Sequence, residues 1–378
     1  MPWTRRRFIK TTLSASAASV VLPSLASAYF PHFPKEKDPA EESLIEARHY
    51  EKLPHKKIRC TLCPRKCVID DQERGYCGVR ENRGGVYYTL VYGKPCTWHI
   101  DPIEKKPLFH FLPGTRAFSI STVGCNIECK FCQNWQISQI RPEQFLEYIA
   151  SPQEIARAAD ATGCASIAYT YAEPIVFYEY MYDCAVEGRK RGIRSVMISN
   201  GYINPEPMRQ LCEVLDAVKI DFKAYTERFY REICRGHLKP VLDTLVLLKQ
   251  IGIWFEMVYL VIPTQNDSPD EIRRMCRWIL RELGPDVPLH FTRFYPQYKL
   301  RNLPPTPVKT LERAWKIARE EGLHFVYIGN VPGHRAESTY CPSCGTRLIY
   351  RIGYATEIEN LDGGRCSHCG MPIPGVWR

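Results

Sequence analysis

The sequence predicts an α/β protein: an open, partial (β/α)6-type barrel with a small Cys-rich module before it and a second one after it. Three observations carry that prediction. After Arg116, apolar β-rich runs alternate with helical segments, giving six or seven units. Twelve of the 17 cysteines fall into three short-spaced clusters, one at the head of this alternation and one on either side. The length of 378 residues suits one large domain with attachments rather than a single small motif.

Composition narrows the class. Hydrophobic residues are 45% and charged residues 24%, and no uninterrupted 18-residue apolar run appears beyond the first 30 positions. Disorder, collagen and multi-span membrane architectures are therefore excluded. The net charge of +10 includes Arg5, Arg6, Arg7 and Lys10, with no acid among residues 1–28, so the rest carries only +6. Basic residues are not gathered into one stripe, and no nucleic-acid partner is expected.

At the N-terminus, TRRRFIK (Thr4 to Lys10), an uncharged apolar run from Thr11 to Leu25, and Ala26-Ser27-Ala28 follow one another. This resembles a twin-arginine (Tat) export signal over residues 1–28. Its apolar run is too short for a stable membrane span. The resemblance implies export of the folded protein to the periplasm or cell envelope, with cofactors loaded in the cytoplasm. Residues 29–59 read as a linker, proline-rich from Pro31 to Pro39 and helical around Glu41 to Glu51.

Residues 60–115 are rich in Cys, Gly, Pro and Tyr with short alternating runs such as Val86 to Tyr92, a module too thin to hold together by its core alone. From 116 to 335, strands are expected at Ala117–Val123, Ser166–Tyr171, Arg194–Ser199, Ala217–Phe222, Trp254–Val261, Leu289–Phe294 and Phe325–Ile328. Ser151 with Glu154 and Ser268 with Glu271 have capping-box spacing, each with proline next, and Asn204 precedes Pro205. Gly163, Gly192, Gly252 and Gly322 mark helix ends. The alternation argues for a parallel sheet with right-handed crossovers.

The first barrel strand is followed by GCNIECKFCQNW, with Cys125, Cys129 and Cys132 spaced Cys-x3-Cys-x2-Cys. Three thiolates on a four-iron cube leave one iron open to a non-protein ligand, whereas a structural zinc site closes with a fourth donor. Polar residues collect at later strand ends, where (β/α) barrels bind ligands. They are YTYAEP with Glu173, then Ser199-Asn200-Gly201, then Asp221 and Lys223 in IDFK, then His290, Arg293 and Tyr295, and last Gly329-Asn330.

The flanking clusters differ. Cys60, Cys63, Cys67 and Cys77, with Cys96 further on, suffice for a zinc ion or a second iron–sulfur cluster. In residues 336–378, Cys341, Cys344, Cys366 and Cys369 form two Cys-x2-Cys knuckles, a zinc-ribbon-like or rubredoxin-like S4 site for zinc or iron. Cys164, Cys184, Cys212, Cys234 and Cys276 are expected as small buried hydrophobes.

From Cys60 onward, CTLCPRKC with GYCGVREN, DPIEKKPLFHFLPG, GCNIECKFCQNW, YTYAEP and the knuckled tail resemble radical S-adenosylmethionine (SAM) proteins of the pyruvate formate-lyase activating enzyme type. More closely, they resemble the AmmeMemoRadiSam-system subgroup. The resemblance implies a [4Fe-4S] cluster on Cys125, Cys129 and Cys132, SAM chelated at its open iron, and SAM contacts from Phe131, Glu173, Ser199, Asn200, Asp221 and Lys223. Glu173 stands where the superfamily's Gly-Gly-Glu-like element meets the SAM amino group. The implied chemistry is reductive cleavage of SAM to a 5'-deoxyadenosyl radical that takes hydrogen from an unidentified substrate, a protein glycine among the candidates. A low-potential electron donor is the implied partner. The export signal motivates a different reading, an exported, non-catalytic electron-transfer protein on the same scaffold.

Overall fold

The computed structural model describes Phe33 and residues 44–145 and 148–378, all within one compact unit, 31–378. The export signal and the proline-rich part of the linker lie outside the described residues. Eight strands form the main sheet: β1 (Thr97–Pro102), β2 (Arg116–Ser121), β3 (Ser166–Tyr169), β4 (Arg194–Ser199), β5 (Ala217–Asp221), β6 (Trp254–Val261), β7 (Leu289–Arg293) and β8 (Val326–Gly329). They lie side by side in chain order. β2 to β8 are parallel. Crossing between them are α1 (Pro152–Ala161), α2 (Tyr178–Arg189), α3 (Pro205–Cys212), α4 (Leu238–Ile251), α5 (Pro269–Glu282) and α6 (Val308–Glu320). The expected strands thus form as seven parallel members of an open barrel. Both faces are covered, which is why runs such as Ala217–Ile220 are buried without alternation.

The sheet begins earlier than residue 116. β1 adds antiparallel to β2, and Trp98 stacks on Phe118 with ring centroids 5.8 Å apart. Between these strands the chain turns into the barrel's concave side. There Ile103, Leu108, Phe111 and Leu112 pack against Ala117, Ala168, Val196, Ile198 and Ala217. Three of those strand positions are alanine, and the small side chains leave room for the inserted segment. The floor is finished from the far end of the chain, where Leu112 N–H donates to Val376 O and Val376 N–H to His110 O, both at 2.7 Å.

The capping box on α1 forms, with Glu154 N–H donating to Ser151 Oγ at 3.3 Å and Ser151 N–H to Glu154 Oε2 at 2.7 Å. Ser151→Ala is expected to cost about 1 kcal/mol, read as a lower urea midpoint at unchanged slope. The box expected at Ser268 does not form. Glu271 is buried and instead accepts from Tyr225 N–H at 2.8 Å and Tyr259 O–H at 3.2 Å. Tertiary partners have taken the carboxylate that local spacing assigned to the cap. Gly163, Gly192, Gly252 and Gly322 all carry positive φ at helix ends, as expected.

The stretch expected to be helical around Glu41 to Glu51 is corrected. From Ile45 it is extended, with Ile45–Glu46 pairing Val86–Thr89 and Tyr50–Lys52 pairing Ile58–Cys60. The Cys-rich module shares its core with the barrel: Ile58, Leu62, Ile69, Val79 and Tyr87 join the cluster that includes Phe118 and Ile120. Among the described residues no helix is long and apolar enough to cross a membrane.

Candidate active site at the strand ends

Immediately after β2 the chain reaches Gly124, whose φ is +100°. A Cβ there would lie 2.6 Å from Val79 Cγ1 and 3.1 Å from Cys77 O, so only glycine lets the loop press this closely on the Cys-rich module. The loop is then braced through its backbone: Glu128 N–H donates to Cys234 O at 2.8 Å and Lys130 N–H to Ile233 O at 2.9 Å. Asn126 Nδ2 donates to Tyr202 O at 2.8 Å, and Arg65 Nε donates to Asn126 O at 2.6 Å. These bonds gather Cys125, Cys129 and Cys132 at the end of β2, all free thiols and at most half-exposed. The donor set fits a four-iron cube held at three corners.

Two further groups stand beside the loop. Glu173, at the end of β3, is 3% exposed. Its carboxylate accepts from Ser199 Oγ at 2.7 Å, Asn200 N–H at 2.8 Å and Ile175 N–H at 3.2 Å. Burial with no cation in contact pushes the carboxyl up to about 7, although those three donors oppose the shift. Asn200 ties this group to the loop, its Nδ2 donating to Asn126 Oδ1 at 2.9 Å. The second group is Asp221 with Lys219 and Lys223. Lys223 Nζ stands 3.1 Å from Asp221 Oδ2, and Lys219 Nζ bonds the other oxygen. Burial would raise the Asp221 carboxyl, but the two ammoniums outweigh it and hold it at about 2. Lys223 Nζ also lies 6.0 Å from the Phe131 ring centroid.

The structure therefore brings together all the residues singled out for the central cluster and its ligand: Cys125, Cys129, Cys132, Phe131, Glu173, Ser199, Asn200, Asp221 and Lys223. It keeps others apart. Arg293 Nε donates to Thr306 O at 2.9 Å and braces a loop. His290 is buried lower on the concave side, with Nε2 2.7 Å from Glu256 Oε2. Cys164, Cys184 and Cys276 are buried as expected, Cys212 is half-buried, and buried Cys234 lies against the Cys129 thiol.

Sequence reasoning missed Lys219 and a trio formed by buried Asp101 and Lys106 with half-buried Tyr171. Lys106 Nζ is 2.5 Å from Asp101 Oδ2, and Tyr171 O–H donates to the same oxygen. Burial lowers the Lys106 ammonium to about 8 against the pull of Asp101. A signal for Lys219 was present: it is two residues from Asp221 in an apolar run, hence on the same strand face.

In the C-terminal module, Cys341 Sγ lies 3.6 Å from Cys369 Sγ, and Cys344 Sγ 3.7 Å from Cys366 Sγ. All four sulfur atoms fall within 4.8 Å of one another, forming a metal-binding group. The two knuckles close alike, with Gly345 N–H bonding Cys341 O and Gly370 N–H bonding Cys366 O.

Fold and site together define an open-barrel protein with a three-cysteine loop at the strand ends. The sequence profile of the Radical SAM superfamily matches residues 119–279. An uncharacterized protein of Methanocaldococcus jannaschii is 49% identical over 330 residues, covering 87% of this chain and 98% of that one. The pyruvate formate-lyase-activating enzyme of Clostridium pasteurianum is 21% identical over 170 residues, 44% of this chain and 70% of that one. The crystal structure of a radical SAM methyltransferase from Sphaerobacter thermophilus aligns with a TM-score of 0.47 at 14% identity, covering 63% and 71% of the two chains. The chain therefore carries a radical SAM domain with similarity to pyruvate formate-lyase activating enzyme.

Proposed function

We propose that this protein is a radical SAM enzyme that holds a [4Fe-4S] cluster on Cys125, Cys129 and Cys132 and binds SAM across the ends of β2 to β5. Its type is that of the pyruvate formate-lyase activating enzymes, nearest to the AmmeMemoRadiSam-system subgroup, and a protein glycine is one candidate substrate. The observation that carries the reading is the buried Glu173 carboxylate, without a cation of its own, beside the three-cysteine loop. What the bound cluster supplies is one electron for reductive cleavage of SAM to methionine and a 5'-deoxyadenosyl radical.

The chain's own residues do the positioning. Glu173 offers a buried negative charge to the SAM ammonium, and Ser199 and Asn200 hold that carboxylate in one orientation. Lys223, anchored by Asp221, offers a cation to an anionic or hydroxyl group of the ligand, with Phe131 as an apolar wall. The packed floor from Ile103 to Leu112 excludes water from below. Zinc suits the C-terminal S4 group, whose sulfur spacing matches a tetrahedral ion at about 2.3 Å. The signal at residues 1–28 supports export after cofactor loading.

The test is anaerobic reconstitution, dithionite reduction and chromatographic detection of 5'-deoxyadenosine from SAM. SAM bound without cleavage would favour the non-catalytic carrier. Glu173 also sets a pH dependence: below about 7 it is protonated and neutral, and a ligand ammonium must displace that proton. SAM affinity in the reconstituted protein is expected to weaken about tenfold from pH 8 to pH 6, by equilibrium dialysis. Glu173→Gln should bind weakly with a flat profile over the same range.

A further inference from the structure

Cys60, Cys63, Cys67 and Cys77 line one cavity together with Arg65, Arg80, Tyr87 and Asn126. All four are free thiols. The polypeptide brings them there by local means: Ile58–Cys60 pairs with Val68–Ile69, Cys60 N–H donates to Cys67 O at 2.9 Å, and Lys66 N–H to Cys63 O at 3.1 Å. The cavity wall includes Asn126, the neighbour of Cys125 in the central loop. Cys77 and Cys125 also line a second cavity of about 820 Å³ in common. Only the glycine at 124 lets the loop approach Cys77 this closely.

Sulfur spacing separates the three cysteine sets. A tetrahedral ion with metal–sulfur bonds of 2.3 Å holds its sulfur atoms about 3.8 Å apart, and the C-terminal four match, at 3.6 and 3.7 Å. A four-iron cube spreads its thiolates to about 6 Å. Among the described residues, the C-terminal set alone brings three or more cysteine sulfurs within 4.8 Å of one another. The four thiols at Cys60, Cys63, Cys67 and Cys77 line one cavity without closing to that short spacing, and Cys125, Cys129 and Cys132 do not close to it either. The two sets are neighbours, and Arg65 and Arg80 line the first. Arg80 is balanced by Glu179, so Arg65, which has no carboxylate partner among the described residues, is the cation suited to the net negative charge of a thiolate-ligated cluster.

We infer that Cys60, Cys63, Cys67 and Cys77 hold a second [4Fe-4S] cluster, seated against the central loop with Asn126 and Arg65 between the two. The inference rests on the proposed function for its internal standard, the three-cysteine set. Four protein thiolates close all four irons, so this site, unlike its neighbour, offers no open position to SAM.

The experiment uses the full chain, reconstituted anaerobically with ferrous iron and sulfide, and measures iron, sulfide and zinc per chain with electron paramagnetic resonance after reduction. Wild type is expected to hold about eight irons and eight sulfides. The variant with Cys125, Cys129 and Cys132 changed to alanine should keep about four of each and bind no SAM. Cys63→Ala combined with Cys67→Ala, which leaves only two thiolates, should lose the other four while retaining SAM binding. Its reduced spectrum should sharpen relative to the wild type, where two adjacent paramagnets broaden each other. A triple variant containing zinc without sulfide, or no metal at the N-terminal site, would overturn the inference. If four irons survive in the triple variant while wild type neither binds nor cleaves SAM, the second cluster stands and the proposed function falls.

Discussion

Changing Cys125, Cys129 and Cys132 together to alanine is expected to reduce 5'-deoxyadenosine formation from SAM by at least about three orders of magnitude, to the uncatalysed background. On the proposed function the three thiolates would be the protein anchors of the group that delivers the electron, and no remaining residue would substitute for them. The variant should still fold. The loop is fixed by Glu128 N–H to Cys234 O, Lys130 N–H to Ile233 O and the Asn126 side chain, none of which involves a cysteine sulfur. Circular dichroism and C-terminal metal content should therefore match wild type. Product formation at the wild-type rate would remove the central loop from the chemistry.

The largest expected loss of stability comes from Glu179→Ala. Arg80 of the Cys-rich module and Glu179 of α2 are 1% and 2% exposed in their side chains and meet at 2.5 and 3.1 Å. Arg48 N–H donates to Glu179 as well, at 2.9 Å. Removing the carboxylate strands a guanidinium with no water to solvate it, which costs about 3–5 kcal/mol. Arg80→Met combined with Glu179→Leu should recover most of the loss, because neither charge then remains buried. Urea unfolding of the three variants tests this. Burial would raise the Glu179 carboxyl, but Arg80 outweighs it and holds the group below the usual carboxylate range. A depressed carboxylate contributes stability above its unfolded pKa of about 4.5 and loses it as pH falls through the folded value. Wild type should weaken on acidification over that range, and the double variant should do so less.

Much of this architecture could be read from the chain because it rests on local signals. The parallel strands are continuous apolar runs, and the helices between them begin at Ser151-Pro152 and Asn204-Pro205 and end at glycines. The three cysteine clusters declare themselves by spacing, and strand-end placement linked Glu173, Ser199, Asn200, Asp221 and Lys223 to the central one. What escaped depends on contacts distant in sequence. Thr97–Pro102 is a short alternating run inside a loop-rich module, and its membership in the main sheet is settled by its partner, Arg116–Ser121. Glu271 has the right spacing for a cap yet spends its carboxylate on Tyr225 and Tyr259. Lys106 sits in a charged stretch that reads as solvated, and only the inward turn of the floor segment buries it against Asp101 and Tyr171.

The barrel floor also dictates an order of events in biosynthesis. His110 is held by Pro374 O at 2.7 Å across 264 positions of chain, and Arg351 Nη2 reaches Phe109 O at 2.7 Å across 242. Translation at 5–20 residues per second separates the two sides of the first contact by roughly 13–50 s. During that interval every strand from β2 to β8 has emerged, along with the central cysteine loop, while the concave side lacks its final cover. The nascent chain completes its central cysteine loop first and its floor last, and the module around Cys341 and Cys366 acts as the latch that ends the process.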